Sequence, residues 1–552
     1  MRLADPVTTR PTLGGLRHAI SAGHPAATMA GLRILEAGGT AADAAVAAGF
    51  VLHVVQCDMA NLGGVCPILA HDGASGAVTA YAGIGAWPQA VSLEALRSAG
   101  QGRIPASPQR WVVPAAVDAW LTLLSRQGTM SVADVLADAI AIARRGFPSN
   151  YFIRNNLAQL APGIPPDADN HRIFRPGGVV PPEGAPIRQP ALADTLQRLV
   201  DAERGPGSRE DGIRRARDAF YRGDIARLID AYARDCGAFL RYSDLAEYEV
   251  AVEPALSVHL DGVEVFGCGP WCQGPALLQI VAMMDHLGPC DGAERAARLL
   301  ACVRAALEDR NRYYGDPRHV DVPIGRLLSP EHALARLAEA GVRDVTPEPS
   351  APDRIDALTP DTTYLCAVDR WGNAVSATPS DSTIIFTPMI PGLGFGVSDR
   401  GHQASLDPAN PNCVAPGKRP RMTPNPSLAR GRDFLLAFGT PGAEVQVQAM
   451  AQFLWSHLRD GLSLQAAIEA PRWATYDVAT TEDPHTRQPG LVCIESRAGA
   501  EVREGLSSRG YQVAEWAPYA ALAGALCAVR READGRVSAA ADPRRLAYAA
   551  AV

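Results

Sequence analysis

The chain has 552 residues, and of its 52 lysines and arginines only one, Lys418, is a lysine. A Walker A phosphate loop, a pyridoxal Schiff base and a Ser-x-x-Lys acylase each need a lysine in a set context, and neither Asn412–Gly417 before Lys418 nor Arg419 after it supplies one. With a net charge of −7 and 47% hydrophobic residues, the chain reads as globular, with no basic field to draw it to nucleic acid or acidic lipid.

The first ten residues, Met1 to Arg10, lack the apolar core of a signal peptide. Helical patterns run from Ala26 to Ala37, closed by Gly38-Gly39, and from Ala41 to Val55. The second is interrupted by Gly49 and His53 and is too short to span a bilayer. Strand-like Val65–Ala70 and Ala77–Tyr81 follow, then helical stretches near 114–126, 131–145 and 191–202, with a Pro/Gly-rich loop from Pro162 to Pro190. The segment 223–280 mixes helix and strand, and 293–312 reads as one long helix. The eleven cysteines are scattered without a Cys-x-x-Cys, which argues against a zinc or redox motif and, with no signal peptide, points to the cytoplasm.

A polar, Pro-rich passage from Thr346 through Pro360 then reads as an exposed loop. Directly after it comes the clearest hairpin pattern in the chain: Thr363–Asp369 and Ala374–Thr378 flanking the turn Arg370-Trp-Gly-Asn373. A threonine hydroxyl is a weak nucleophile without a base beside it. One solution makes threonine the first residue of a chain, so that its own α-amine, with a pKa near 8, is the base. Cutting Asp361–Thr362 would create that amine. Taken alone, Thr-Thr at a strand start is ordinary β-propensity.

The passage Asp361-Thr-Thr-Tyr-Leu-Cys-Ala-Val-Asp-Arg-Trp-Gly-Asn-Ala-Val375 resembles the start of the small subunit of the γ-glutamyltransferase family, T-T-H-x-S-V-V-D-x-x-G-N-A-V. Further family features follow in collinear order. Before the junction lie Gly38-Gly-Thr-Ala-Ala-Asp-Ala-Ala-Val46, Asn61-Leu-Gly-Gly64, Ala219-Phe-Tyr-Arg-Gly-Asp224 and Asp309-Arg-Asn-Arg-Tyr-Tyr-Gly-Asp316. After it come Pro416-Gly-Lys-Arg-Pro420, Gly439-Thr-Pro-Gly442, Ala470-Pro-Arg472 and Ala541-Asp-Pro-Arg-Arg545. The resemblance implies an α/β (α+β) fold, the four-layer αββα sandwich of N-terminal-nucleophile hydrolases. It also implies a precursor that cuts itself into a large subunit, 1–361, and a small catalytic subunit, 362–552, sharing one fold. Assembly beyond that two-subunit unit is left open.

Residue by residue, the resemblance makes Thr362 the nucleophile, with Thr363 the competing choice, and makes Asp361–Thr362 the cleaved bond. Ser380 stands where the family has a second threonine supporting the nucleophile. Gly442 and Ala443 stand where backbone N–H groups form the oxyanion hole, which requires a backbone that tolerates the Cβ of alanine. The glutamyl clamp departs from the family pattern. The stretch Tyr81–Pro88 has no arginine where the family has one, Gln403 replaces an aspartate, Met422 replaces the first of two hydroxyls with Thr423 at the second, and Ser382 replaces an asparagine. Arg400 and Arg421 are new cations nearby. The pocket is therefore expected to hold a carboxylate through Arg400 or Arg421 but to lack an anion for an α-ammonium.

That pattern favours hydrolysis of a small, carboxylate-bearing amide of the oxamate kind, with glutathione hydrolysis or γ-glutamyl transfer as the family default and a non-catalytic binding relative as the rival. No metal or organic cofactor is implied, because one residue supplies both hydroxyl and amine. The expected partner is a small-molecule amide, with neither nucleic acid nor membrane. Other hydrolase classes find no support: there is no His-Glu-x-x-His and no Gly-x-Ser-x-Gly, and Gly392-Leu-Gly-Phe-Gly396 lacks dinucleotide spacing.

Overall fold

Strict alternation along short strands builds the centre of the molecule. In strand Leu365–Val368, Leu365 and Ala367 pack into a helical layer, while Cys366 and Val368 pack into the space between two sheets. A strand covered on both faces reads as an unbroken apolar run, and Leu-Cys-Ala-Val is one. The computed structural model describes residues 7–161, 163–342, 362–381 and 383–552. The Asp361 half of the expected cleavage bond, Ser382 and the Pro-rich passage Thr346–Pro360 lie outside the described residues.

One sheet has seven strands in the spatial order Tyr548–Ala551, Ala19–Ala22, Leu365–Val368, Ala374–Ala377, Ile68–His71, Val78–Ala82 and Ala251–Pro254. The other runs Leu13–Gly15, Val537–Ala541, Cys527–Glu532, Phe434–Gly439, Ser427–Arg430, Val263–Gly267 and Leu256–Leu260. Every neighbouring pair within them is antiparallel. Between the sheets, Leu69, Ala80, Cys366 and Val368 of the first meet Leu428, Ala437, Val529 and Ala539 of the second. Helices including Pro25–Glu36, Ala41–Val55, Ala116–Gln127 and Val132–Arg145 cover the first sheet's outer face. Helices Gly274–Asp285, Gly292–Tyr313 and Val445–Leu454 cover that of the second. The result is the αββα sandwich that the resemblance implies.

Helix Ala41–Val55 is buried on every side, as an apolar helix without a polar face must be. Thr40 and Asp43 close a capping box at its start. Glycine is required at position 49, because a Cβ there would stand 2.3 Å from the Trp120 ring. The Pro/Gly-rich stretch read as loop instead contains a short helix, Asp169–Phe174. Its Asn170 side chain donates to the carbonyls of Ile384 and Thr387, a distant tether that no local pattern encodes. All eleven cysteines are free thiols. Among the described residues no helix is long and apolar enough to cross a membrane.

Candidate active site

The hairpin sets the first two site residues by register. Leu365 faces Ala377 across the antiparallel pair, and the same pairing continues beyond the strand to bridge Thr362 with Ser380. The turn that fixes this register is held by Asp369, whose carboxylate accepts from the N–H groups of Trp371, Asn373 and Ala41. Opposed residues in a non-hydrogen-bonded or bridged position bring their side chains together, and Thr362 Oγ1 lies 2.7 Å from Ser380 Oγ. Both residues are buried. The rival Thr363 points away, donating to Gln56 Oε1 at 2.6 Å.

Arg400, fully buried, joins this pair by donating from Nη2 to Ser380 Oγ at 2.5 Å. Its short 3₁₀ turn, Arg400–Gln403, is fitted closely to its surroundings. A Cβ on Gly401 would stand 2.2 Å from the Arg110 carbonyl oxygen and 2.4 Å from the Trp87 ring. Arg110 also pairs with Asp399 at 2.5 Å. The Asn61-Leu-Gly-Gly64 motif is the bed for the whole arrangement. Asn61 donates to the Asp381 carbonyl, Gly63 accepts from Ser398 N–H, and a Cβ on Gly64 would press on Ser380 and Asp381.

Asp381 sits beside Arg400, with Oδ2 3.9 Å from Arg400 Nε and accepting from Ser398 Oγ at 2.5 Å. Burial, and then the charge of Asp399, push its carboxyl well above the ordinary aspartate range, against the pull of Arg400. Asp399 moves the other way: burial opposes it, but Arg110, His402 and Arg400 hold its carboxyl below the ordinary range. His402 stands 3.7 Å from both Asp399 and Glu482; burial lowers its pKa, and these two carboxylates more than reverse that.

The expected oxyanion element, Gly439–Glu444, leaves strand Phe434–Gly439 and enters helix Val445–Leu454. Gly439 has no side chain because the Tyr364 ring occupies that space. Gly442 has φ +129° and Ala443 φ +48°, so the alanine sits in the left-handed region that a Cβ disfavours. Among the described residues neither N–H has a hydrogen-bond acceptor. The Ala443 carbonyl accepts from Gln273 Nε2 at 2.7 Å, and Glu444 accepts from Arg310 at 3.0 Å and from the Thr481 N–H at 2.6 Å. None of Gln273, Arg310 and Glu444 stood out in the sequence as a site residue, although the last two lie in or beside family motifs.

Of the remaining candidates, Gln403 and Thr423 meet. Gln403 donates to Thr423 Oγ1 at 3.4 Å and accepts from the Thr423 N–H at 3.3 Å. Met422 is fully buried and bridges Cys272 through its backbone. Arg421 turns to a different group: it donates to the Arg310 carbonyl, Asn311 Oδ1 and Thr481 Oγ1. Burial and the charge of Arg310 hold its pKa well below the ordinary arginine value. Lys418 is buried, its backbone carbonyl accepting from Trp87 N–H. Burial lowers the pKa of its ammonium, against the pull of Cys413 and Asp316.

Two facing sheets clad in helices, with paired hydroxyls at the entry to a central strand, define the N-terminal-nucleophile hydrolase class. The gamma-glutamyltranspeptidase family model matches residues 27–552, so the chain is an enzyme of that family. It is 30% identical to the oxamate amidohydrolase proenzyme of Klebsiella pneumoniae, over 94% of this chain and 96% of that one. It is also 30% identical to the glutathione hydrolase-like YwrD proenzyme of Bacillus subtilis, over 96% and 97%. The crystal structure of cephalosporin acylase from Bacillus halodurans superposes with a TM-score of 0.85 at 26% identity, covering 100% of this chain and 99% of that one.

Proposed function

We propose that the chain is a precursor that cuts itself between Asp361 and Thr362, and that Thr362 of the resulting small subunit hydrolyses the amide of a small, carboxylate-bearing acid of the oxamate kind. The observation that carries this reading is the contact of 2.7 Å between Thr362 Oγ1 and Ser380 Oγ, with the buried Arg400 guanidinium on the far side of Ser380. Thr362 Oγ1 attacks the substrate carbonyl carbon as its proton passes to the Thr362 α-amine. The N–H groups of Gly442 and Ala443 receive the developing oxyanion. The C–N bond breaks, the α-amine hands its proton to the departing nitrogen, and water then cleaves the acyl ester to restore the hydroxyl.

Arg400 is the stronger candidate for the substrate carboxylate, because Arg421 is committed to Arg310, Asn311 and Thr481. Gln403, where the family has an anion, is neutral and engaged with Thr423. Asp381 is pushed toward its neutral form, so it offers little to an α-ammonium. An acid without that ammonium fits such a pocket better than a γ-glutamyl group, and the likeness to an oxamate amidohydrolase points the same way.

The test is a denaturing gel of purified protein, which should show two bands matching 1–361 and 362–552. Thr362→Ala should remain one band with no turnover. A wild-type chain that never separates into two pieces would sink the reading in favour of a binding protein. Rapid glutamate release from a γ-glutamyl anilide, with oxamate untouched, would return the substrate to the family default.

A further inference from the structure

Resting on that reading of Thr362, we propose that Arg400 is a positioning residue for the nucleophile: acting through Ser380, it favours negative charge on Thr362 Oγ1 in the self-cut as well as in turnover. A guanidinium has donors only, so the hydrogen in the 2.5 Å contact belongs to Arg400 and the Ser380 oxygen is the acceptor. An oxygen that accepts from a cation becomes a stronger donor through its own O–H. Thr362 Oγ1 lies 2.7 Å from that hydroxyl, within reach of its hydrogen. A buried positive charge thus stands two hydrogen bonds from the atom that must gain negative charge, in surroundings where water does not screen it.

The fold holds Arg400 there before any substrate arrives. Gly401 is wedged between the Arg110 carbonyl and the Trp87 ring, Arg110 grips Asp399, and Asp381, fixed by Ser398, flanks the guanidinium on its Nε edge. This is preorganisation toward Ser380. A substrate clamp could hold the Asp361 side-chain carboxylate in the precursor, so turnover of an amide without a carboxylate is what separates a clamp from a positioning residue. In the self-cut, Thr362 Oγ1 bonds to the Asp361 carbonyl carbon, the 361–362 C–N bond breaks, and the hydroxyl proton ends on the Thr362 nitrogen. Water then hydrolyses the ester, leaving the Asp361 carboxylate and a threonine with free amine and hydroxyl. Arg400 exchanges no proton in either reaction.

The experiment compares wild type, Arg400→Gln, Arg400→Lys, Ser380→Ala and the Ser380→Ala/Arg400→Gln double variant. Self-cutting is followed on denaturing gels from freshly synthesised precursor. Then kcat and KM are measured on the processed fraction, for oxamate and for acetamide, which lacks the carboxylate. The expected result for Arg400→Gln is self-cutting slowed by about tenfold to a hundredfold, with kcat for both amides reduced in the same proportion. The acid limb of kcat/KM should move to higher pH, because removing a cation makes the Thr362 ammonium harder to deprotonate. Asp381, Asp399, Glu482, His402 and Arg110 also face this turn, so that shift is read against wild type, which carries the same groups.

Arg400→Lys should restore part of the loss, and the double variant should fall little below Ser380→Ala alone. Wild-type self-cutting in Arg400→Gln, with only the KM for oxamate raised, would overturn the proposal and leave Arg400 as a substrate clamp. Fully additive losses in the double variant would overturn it as well. If Arg400→Gln melts well below wild type, a folded Arg400→Lys decides: self-cutting supports the proposal and none overturns it. Thr362→Ala run alongside separates the two levels. Its cleavage at the same bond would defeat the nucleophile itself, whereas an uncut Thr362→Ala beside a normally cutting Arg400→Gln would defeat only the role given to Arg400.

Discussion

Two buried charge clusters in this molecule are built to opposite plans. Around Arg544, guanidinium and carboxylate are matched closely. Arg544 grips both oxygens of Glu495 at 2.7 and 2.8 Å, reaches Asp542 at 3.2 Å, and donates to the carbonyls of Ile468 and Ala470. Arg472 completes the set, donating to Asp542 at 2.5 Å and to the carbonyls of Ile468 and Ala523. Around Arg400, by contrast, no carboxylate among the described residues is gripped in two places; the guanidinium reaches a hydroxyl, and Asp381 stands at 3.9 Å. The first cluster ties helix Leu464–Glu469 to the strands near the C-terminal end. The second keeps a charge directed at the proposed nucleophile. Burial alone does not mark a functional charge; the identity of its partner does.

That contrast can be broken most forcefully by removing Arg544. Arg544→Met leaves Glu495 and Asp542 buried with fewer donors, and the expected cost is about 3–5 kcal/mol of stability, with self-cutting unchanged in the folded fraction. The measurement is denaturant unfolding beside a processing gel. A variant that unfolds like wild type but no longer cuts itself would reverse the roles given to the two clusters.

A smaller effect lies in acid. The carboxyls of Glu495, Asp542 and Asp399 are each held below their ordinary values: burial opposes this, but the neighbouring arginines outweigh it. Groups depressed on folding stabilise above their unfolded pKa, about 4, and that contribution is lost as pH falls toward the folded value. Asp381 has the opposite sign. Raised on folding, it stabilises the fold fully below about pH 4, and that contribution is lost as pH rises through its folded pKa. Asp381→Asn should therefore leave the fold's acid sensitivity in place and flatten the pH dependence of stability above pH 4, whereas Glu495→Gln should blunt the loss in acid. Equal profiles in melting curves from pH 3 to 8 would refute the assignment.

The smallest expected effect is at Ala443. Its φ of +48° costs an alanine about 1 kcal/mol relative to glycine. Ala443→Gly should keep full turnover and recover about that much stability, less the entropy that glycine adds to the unfolded chain. A drop in kcat would show that the methyl group itself shapes the oxyanion element.

The sequence revealed the middle of the fold and half of the site, and the reason lies in chain distance. Thr362 and Ser380 share one hairpin, so the turn at 370–373 and an alternating register place them opposite each other without help from elsewhere. Helix Ala41–Val55 was equally legible, since its cap and its apolar run are both local. Arg400 could be singled out as an unusual cation, but its reach to Ser380 depends on Gly63, Arg110 and Trp87, all hundreds of residues away. The direction of Arg421 was hidden for the same reason: its acceptors are Arg310, Asn311 and Thr481. Gln273 carries no local mark and Glu444 only its place beside a family motif, because glutamine and glutamate beside a helix start are commonplace until a distant arginine selects them.

The buried Lys418 has a practical consequence. It holds the sole side-chain primary amine in the sequence, and the fold shields it from solvent. Each cut of the backbone would add one α-amine, so in the unfolded protein an amine-acylating reagent finds only Lys418 and the chain ends. Isotope-tagged acylation of denatured protein followed by digestion would then read the proposed cut as a stoichiometry, with the Lys418 tag as internal standard and one tag on Thr362 for every chain cut there.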